Sequence, residues 1–221
     1  MVEKILETVR YSKAEECVNA LTHWFGVLLG IAGLVVSVLF GVRNHSTPEI
    51  VAFSIYGGCF IFMYLASAIY HTVPLSKAKG VLRIFDHAAI FVFIAASYMP
   101  IALLSFSGWL RVATIVAVWS VALAGVVFKV LTAGAFNRTK KLSLFLYLLL
   151  GWFAVLLIKP IVETTDGRFL LPLVLGGVVY SVGVIFYAKK SVKFNHAIWH
   201  LFVLAGSVVH YVGFLNFYAL S

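Results

Sequence analysis

The chain has 221 residues, of which 62% are hydrophobic and only 11% are charged, with a mean hydropathy of +1.03. A soluble domain usually carries about 25% charged residues, so this composition excludes an ordinary soluble protein. The formal net charge of +9 does not indicate a nucleic-acid partner, because the basic residues lie in short segments between long apolar stretches. The two cysteines, Cys17 and Cys59, do not indicate a disulfide framework.

Residues 1–20 are predicted to form a short amphipathic segment on the cytoplasmic side of a membrane. Charged residues alternate there with a small apolar stripe at Val2, Ile5, Leu6 and Val9. Such a stripe is typical of a helix that lies along a membrane surface. A cleavable signal peptide would instead have a continuous apolar core after a short basic start.

Seven apolar stretches follow, and a helix needs about 20 such residues to cross a bilayer. Neither an internal repeat nor a long linker divides the sequence. We therefore predict an all-α integral membrane protein, a seven-transmembrane helix bundle that forms a single domain over residues 1–221. The fifth span is the shortest, and Lys159-Pro160 is predicted to end it. The predicted spans are residues 21–42, 51–73, 84–104, 109–130, 143–158, 170–188 and 196–218.

The basic residues predict the orientation of the chain. Of the 17 Lys and Arg residues, 13 lie on one side of the predicted spans, and only Arg43, Arg111, Lys159 and Arg168 lie on the other. Because cytoplasmic loops carry the excess of Lys and Arg, the N-terminus is predicted to be cytoplasmic and the C-terminus outside. This is the reverse of a G-protein-coupled receptor. We expect a multi-pass protein of the cytoplasmic (inner) membrane.

This orientation places four ionisable residues at one depth. His71 lies near the end of the second span, Asp86 near the start of the third, and His196 and His200 near the start of the seventh. All four are predicted within about two helical turns of the cytoplasmic boundary. Ionisable side chains are rare inside membrane spans and usually mark a functional site.

Three of these four residues predict a metal site. His196 and His200 are four residues apart, which puts both rings on one helix face with Cβ atoms about 5–6 Å apart. His71 would complete a three-histidine set with an open fourth position, a donor set that suits zinc. Manganese or iron could occupy a similar cluster. Alternatively, His196 and His200 could be interfacial side chains that hydrogen-bond lipid headgroups.

Asp86 is the only acidic residue inside a predicted span. It could accept a hydrogen bond from a metal-bound water or bind the metal directly, or it could simply cap the third helix. Ser67 precedes His71 by one helical turn and shares its face, so it could orient the water or a substrate carbonyl. A serine in a membrane helix also often bonds its own backbone or a neighbouring helix.

A polar pattern precedes the first span, at Glu16, Asn19, Thr22 and His23. Glu16, Asn19 and His23 fall on one face of a helix that continues into the span. These side chains could cover the metal site as a polar plug. They could also form an interfacial network that joins the N-terminal segment to the bundle.

Four motifs in this order resemble the hemolysin III branch of the progestin and adipoQ receptor (PAQR) family. They are ExxNxxTH from Glu16 to His23, SxxxH from Ser67 to His71, the aspartate Asp86 that opens the third helix, and HxxxH from His196 to His200. The family is similar to the alkaline ceramidases in its zinc-site arrangement.

By this resemblance, His71, His196 and His200 would bind Zn²⁺, while Asp86 and Ser67 would hold the water that the zinc activates. His87 stands where the animal receptors commonly have tyrosine, and the N-terminal segment is short. Both features favour a bacterial-type member over a hormone receptor.

The favoured functional hypothesis is a zinc-dependent hydrolase of lipid amide or ester bonds, a ceramidase-like lipid amidohydrolase. Membrane lipids would be its substrate or ligand. One alternative is a non-enzymatic protein with structural zinc that senses or adjusts the state of the membrane. The other is a pore-forming hemolysin, which the concentration of polar residues at one end of the spans does not favour. The oligomeric state stays open.

Overall fold

The structure is a computed structural model that describes residues 11–165, 167–189 and 191–220, and within them every regular element is helical. Seven helices are long and apolar enough to cross a membrane, which confirms the predicted seven-helix architecture. The apolar stripe from Val2 to Val9 lies outside the described residues. The seven helices are α1 (Lys13–Arg43), α2 (Thr47–Thr72), α3 (Lys77–Leu104), α4 (Gly108–Leu131), α5 (Ala133–Thr164), α6 (Leu170–Ala188) and α7 (Asn195–Ala219).

Helix α1 begins well before the predicted first span. Ser12 and Glu15 form a capping box: the Ser12 hydroxyl accepts a hydrogen bond from the Glu15 N–H, and the Glu15 carboxylate accepts one from the Ser12 N–H at 2.8 Å. This reciprocal pair gives the backbone N–H groups of Ser12 and Glu15 a hydrogen-bond partner each, and the helix begins at Lys13. The polar turns that contain Glu16 and His23 are therefore part of the first membrane helix.

The first two helices pack closely through glycines, since residues without a side chain let two backbones approach each other. A Cβ atom added at Gly26 would collide with the ring of Tyr64, and one added at Gly57 would lie 2.7 Å from the side chain of Leu34. Gly58 differs, because nothing lies within 4 Å of the position of its missing Cβ. The close contact of α1 with α2 brings the polar start of α1 beside the end of α2.

Helix α5 continues past the end predicted for it at Lys159-Pro160. It contains α-helical parts at Phe136–Gly151 and Ile158–Thr164, joined by a 3-10 segment at Trp152–Leu157. Pro160 falls in the first turn of the last part, where a backbone N–H has no partner within the helix, so the proline does not stop it. The prediction that this pair ends the span is therefore wrong.

A tyrosine from α3 satisfies the backbone at the irregular part of α5. The Tyr98 hydroxyl lies 2.8 Å from the carbonyl oxygens of both Leu150 and Gly151, and it accepts a hydrogen bond from the Ala154 N–H at 3.0 Å. Lipid cannot supply such partners, so this contact permits the break inside a membrane helix.

Helix α3 is the most buried of the seven, with α2, α4 and α5 against it. Large apolar side chains remain exposed around the bundle, including Leu28, Leu39, Leu123 and Leu171. An exposed apolar surface of this kind suits lipid as the surrounding solvent. Asp86 therefore lies on the central helix of a membrane bundle.

Candidate metal centre

The structure brings His71, His196 and His200 together at one end of the bundle. One ring nitrogen from each lies within 4.8 Å of the others, and all three side chains are buried. We call these three residues the histidine cluster. It joins the last turn of α2 to the first turns of α7, which are 125 residues apart in the sequence.

The spacing within the histidine cluster fits a tetrahedral metal ion. The Nε2 atoms of His71 and His196 are 3.3 Å apart. Two imidazole nitrogens bound at roughly 2.0–2.1 Å to one tetrahedral zinc ion would lie about 3.3–3.4 Å apart. At this distance one Nε2 atom can donate a hydrogen bond to the other; if both are unprotonated, a shared cation would remove their mutual repulsion.

Hydrogen bonds orient two of the three rings for metal binding. His71 Nδ1 lies 2.6 Å from the Glu16 carboxylate, so Nδ1 donates and Nε2 keeps its lone pair for the cluster. His200 Nδ1 lies 3.3 Å from the Asn19 carbonyl oxygen and 3.2 Å from the Thr22 hydroxyl. The Thr22 hydroxyl in turn donates to backbone carbonyls of its own helix. Partners of this kind fix the tautomer of histidine ligands.

Unpaired polar atoms are concentrated at this site. Among the described residues, eight buried side-chain nitrogen and oxygen atoms have no hydrogen-bond partner, and seven of them lie in or around the histidine cluster. Native proteins rarely leave such atoms unpaired, and a concentration of them is typical of a site that binds water, an ion or a ligand. The seven atoms are Asn19 Oδ1 and Nδ2, His23 Nδ1 and Nε2, Ser67 Oγ, His196 Nδ1 and His200 Nε2.

Asp86 lies beside the histidine cluster rather than in it. It is buried on α3, close enough to His71 for a direct electrostatic interaction, but it does not belong to the group of potential ligands. The helix cap of α3 is Ser76, whose hydroxyl accepts a hydrogen bond from the Lys79 N–H. The interpretation of Asp86 as a cap is therefore wrong, because it lies too far inside the helix.

Two neighbours complete the surroundings of Asp86. His87 Nδ1 lies 3.2 Å from the Asp86 carboxylate and 2.9 Å from the Arg83 carbonyl oxygen. The Ser67 hydroxyl lies next to the Asp86 carboxylate and has no other hydrogen-bond partner within the described part of the chain. The carboxylate thus has His87 on one side and the Ser67 hydroxyl on the other.

The polar start of α1 covers the histidine cluster. The His23 ring stacks on the His200 ring with centroids 3.6 Å apart, and its edge contacts Tyr64. Glu16 binds Lys79 Nζ at 2.9 Å as well as His71, and Lys79 also donates to the Tyr70 and Val73 carbonyls. The structure therefore brings all four predicted α1 residues, Glu16, Asn19, Thr22 and His23, to the site.

Sequence reasoning missed two residues of this network. Lys79 lies in the short basic segment between the second and third predicted spans, yet it is buried and bound to Glu16. His87 follows Asp86 directly, so its Cα lies about 100° around the helix, yet its ring turns back to the carboxylate. The one indication of Lys79 in the sequence is its position shortly after His71. No sequence signal distinguished the side-chain direction of His87.

Two adjoining cavities border the site. The outer cavity, of about 340 Å³, is lined by His196, His87 and several basic and aromatic side chains. The inner cavity, of about 120 Å³, is mostly apolar and is lined by Asp86 and His23 together with residues of α5 and α6. Four residues line both cavities: Ile90, Leu144, Tyr147 and Trp199. Polar and apolar spaces thus meet beside the histidine cluster.

Comparison with known proteins gives the family. Residues 11–211 match the family described as haemolysin-III related. The chain is 44% identical over 193 residues to the hemolysin-3 homolog of Bacillus subtilis (strain 168), covering 87% of this chain and 89% of that protein. It is 36% identical over 209 residues to hemolysin-3 of Bacillus cereus, covering 95% and 94%. The human monocyte to macrophage differentiation factor is 32% identical over 203 residues, covering 89% and 82%. The chain therefore belongs to the haemolysin-III-related family, the hemolysin III branch of the PAQR proteins.

Proposed function

We propose that this protein is a zinc-dependent hydrolase of lipid amide or ester bonds. The observation that carries the proposal is the cluster of three buried imidazoles beside the Asp86 carboxylate and the Ser67 hydroxyl, with His196 lining the outer cavity and Asp86 lining the inner one. His71, His196 and His200 would hold the ion. Bound Zn²⁺ would act as a Lewis acid and lower the pKa of a water molecule to about 7, which supplies a nucleophile at neutral pH.

The chain's own residues would move the protons. Asp86 would take a proton from the attacking water, whose oxygen forms a bond to the substrate carbonyl carbon. As the carbon–nitrogen or carbon–oxygen bond breaks, Asp86 would return that proton to the leaving amine or alkoxide. His87, at 3.2 Å, holds the carboxylate in position, and the Ser67 hydroxyl would donate to the oxygen on which negative charge develops.

Substrate would enter sideways from the membrane. The inner cavity is lined by exposed Trp152 of α5 and by Gly177 and Ser181 of α6, which are partly exposed. The indole N–H of Trp152 donates to the Ser181 hydroxyl at 3.0 Å and bridges these two helices. An acyl chain would have to pass this bridge to reach the site between α5 and α6 without leaving lipid.

We also propose that the histidine cluster faces the cytoplasm, in the inner membrane. In the sequence, 13 of the 17 Lys and Arg residues lie on the same side of the predicted spans as the three histidines. Cytoplasmic loops are enriched in Lys and Arg, which supports this orientation. Membrane lipids are then the proposed partners, and nucleic acid is not one.

A second candidate is a structural metal in a protein that responds to the state of the membrane. It is favoured by the contacts of Glu16, which links α1 to His71 of α2 and to Lys79 of α3. A metal there would tie four helices together without turnover. The pore-forming alternative has less support, because the far half of the bundle is filled by apolar side chains such as Phe53, Ile101 and Phe214.

Metal content and turnover, measured on the same samples, test the proposal. We expect one zinc per chain by mass spectrometry of purified protein, and hydrolysis of a ceramide-like amide or another acyl lipid. The double variant His196→Ala/His200→Ala should lose both. His45→Asn is a matched control, since His45 is exposed at the opposite end and asparagine tolerates its positive φ of 52°. Zinc without turnover on any acyl lipid would favour the structural role, and a folded protein without metal would overturn both.

A further inference from the structure

The outer cavity is lined by several basic side chains. Three of its lining residues are the cations Arg83, Lys129 and Lys140, and its lining carboxylate, Glu15, is engaged in the capping box with Ser12. The other nearby acids are also bound, Glu16 to His71 and Lys79, and Asp86 to His87. Among the described residues that line this cavity, Lys and Arg therefore outnumber carboxylates by three to one.

Lys129 is the most informative of the three cations. Its side chain is only 1% exposed, and its partners are the Ser143 hydroxyl at 3.0 Å and the face of the Phe136 ring at 4.1 Å. Among the described residues, no carboxylate lies within ion-pair distance of its Nζ atom. A buried cation without an anion is costly, so such residues usually meet a ligand or an ion.

A second cation shares the same aromatic ring. The guanidinium of Arg83 lies 4.4 Å from the centroid of the Phe136 ring, which also receives Lys129. Lys140 lies over the ring of Tyr187, 3.8 Å from its centroid. Like charges held this close repel each other, and an anion in the cavity would offset that repulsion. Phosphate suits the place, because its oxygens can accept from an arginine fork and from lysines at once.

The shape of the two cavities indicates what carries the phosphate. The outer cavity meets the apolar inner cavity along Ile90, Leu144, Tyr147 and Trp199. A molecule that fills both must have an anionic head and an apolar tail. Its head-to-tail junction would lie between His196, which lines the outer cavity, and Asp86, which lines the inner one.

We infer that the outer cavity binds the anionic phosphate headgroup of an acyl lipid. The binding itself stands on Lys129, Arg83, Lys140 and the paired cavities. That this lipid is also the substrate rests on the proposed hydrolase function. The substrate class would then be phosphate-bearing acyl lipids, with the cleaved bond near the headgroup.

Matched lipids test the inference on the full chain in nanodiscs of neutral lipid. Dioleoyl phosphatidic acid and dioleoylglycerol differ only in the phosphate, so native mass spectrometry can compare their retention. We expect the phosphatidic acid to bind at least tenfold more tightly. Equal binding of the two lipids would overturn the inference. Inorganic phosphate is the third probe: if it binds as tightly as the phosphatidic acid, the ligand is free phosphate and the lipid assignment fails.

Variants connect the binding to the cavity. Lys129→Gln should lose at least tenfold in affinity for the phosphatidic acid, Lys129→Arg should retain it, and exposed Lys141→Gln, outside the cavity, should leave it unchanged. If Lys129→Gln does not fold, Lys140→Gln provides the same test from a partly exposed position. Unchanged affinity in a folded Lys129→Gln chain would contradict the inference.

Failure of this inference is distinguishable from failure of the hydrolase. The double variant His196→Ala/His200→Ala should still bind the phosphatidic acid, because the cations remain, although turnover is lost. Native protein that binds the phosphatidic acid but hydrolyses no acyl lipid would refute the hydrolase alone. Native protein that hydrolyses acyl lipids without a preference for the phosphate would refute the headgroup site alone.

Discussion

The Nδ1 atom of His71 lies 2.6 Å from the Oε2 atom of Glu16, and this contact joins the end of α2 to the start of α1. Because a carboxylate accepts but does not donate, Nδ1 of His71 carries a proton, and the neutral ring then presents its Nε2 lone pair to the histidine cluster. A carboxylate partner also makes an imidazole a stronger ligand. A residue that does not touch the ion should therefore govern how tightly it is held.

Removal of this carboxylate should weaken metal binding without loss of the fold. We expect Glu16→Ala to lower zinc affinity by about 10- to 100-fold, the usual effect of losing such a partner. A titration with a competing chelator would measure it. Glu163→Ala, an exposed carboxylate at the other end of the bundle, is the control. Equal zinc affinity in the native chain and Glu16→Ala would show that Glu16 has no such influence.

Substitution of Asp86 should separate chemistry from metal binding. Asp86→Asn keeps the shape of the side chain but cannot accept a proton from water, so turnover should fall by about 10²- to 10⁴-fold. Zinc content should stay at the native level, because Asp86 is not in the histidine cluster. Loss of zinc in this variant would make Asp86 a ligand instead.

Removal of the Ser67 hydroxyl should lower turnover less than substitution of Asp86. The Ser67 hydroxyl would contribute one donor to the developing oxyanion, so Ser67→Ala should lower turnover by about 10²-fold. A steady-state comparison with Asp86→Asn, at equal zinc content, measures the two effects. If Ser67→Ala turns over substrate as fast as the native chain, the serine has no part in the mechanism.

Metal removal should lower thermal stability through the histidine cluster. A ligand present at 1,000 times its Kd stabilises the folded state by about 4 kcal/mol, and a bound ion would also tie α2 to α7. A chelator should therefore lower the melting temperature of the native chain measured by scanning fluorimetry. The same chelator should not change the melting temperature of His71→Ala. A fall of the same size in both proteins would mean that the cluster holds no stabilising ion.

The contact of α1 with α2 should depend on Gly26, which has no side chain where it faces Tyr64. Gly26→Ala places a methyl group against the Tyr64 ring, and overpacking of this kind costs about 1–3 kcal/mol. It should also displace Glu16 from His71 and weaken zinc binding. Gly58→Ala is the matched control, because its methyl group would meet open space. The free energy of unfolding and the zinc affinity of Gly58→Ala should both be close to those of the native chain.

The amino-acid sequence determined the seven spans and the common depth of the site residues. Each span follows from its own hydropathy, since a helix in lipid must be apolar over about 20 residues whatever its neighbours are. The shared depth of His71, Asp86, His196 and His200 follows from their positions near the ends of these spans. The sequence did not predict the exact ends of the helices: a capping box starts α1 at Lys13, and the hydroxyl of Tyr98 allows α5 to continue past Pro160.

Only the tertiary structure decided which polar groups meet. The pairing of Glu16 with His71 and Lys79 needs α1, α2 and α3 in contact, and the glycine packing of Gly26 sets that contact. The turn of His87 toward Asp86 is a rotamer choice that hydropathy does not report. The basic outer cavity likewise arises from residues far apart in the chain. Hydropathy is a sum over neighbours in sequence, whereas ligand geometry and charge balance depend on neighbours in space.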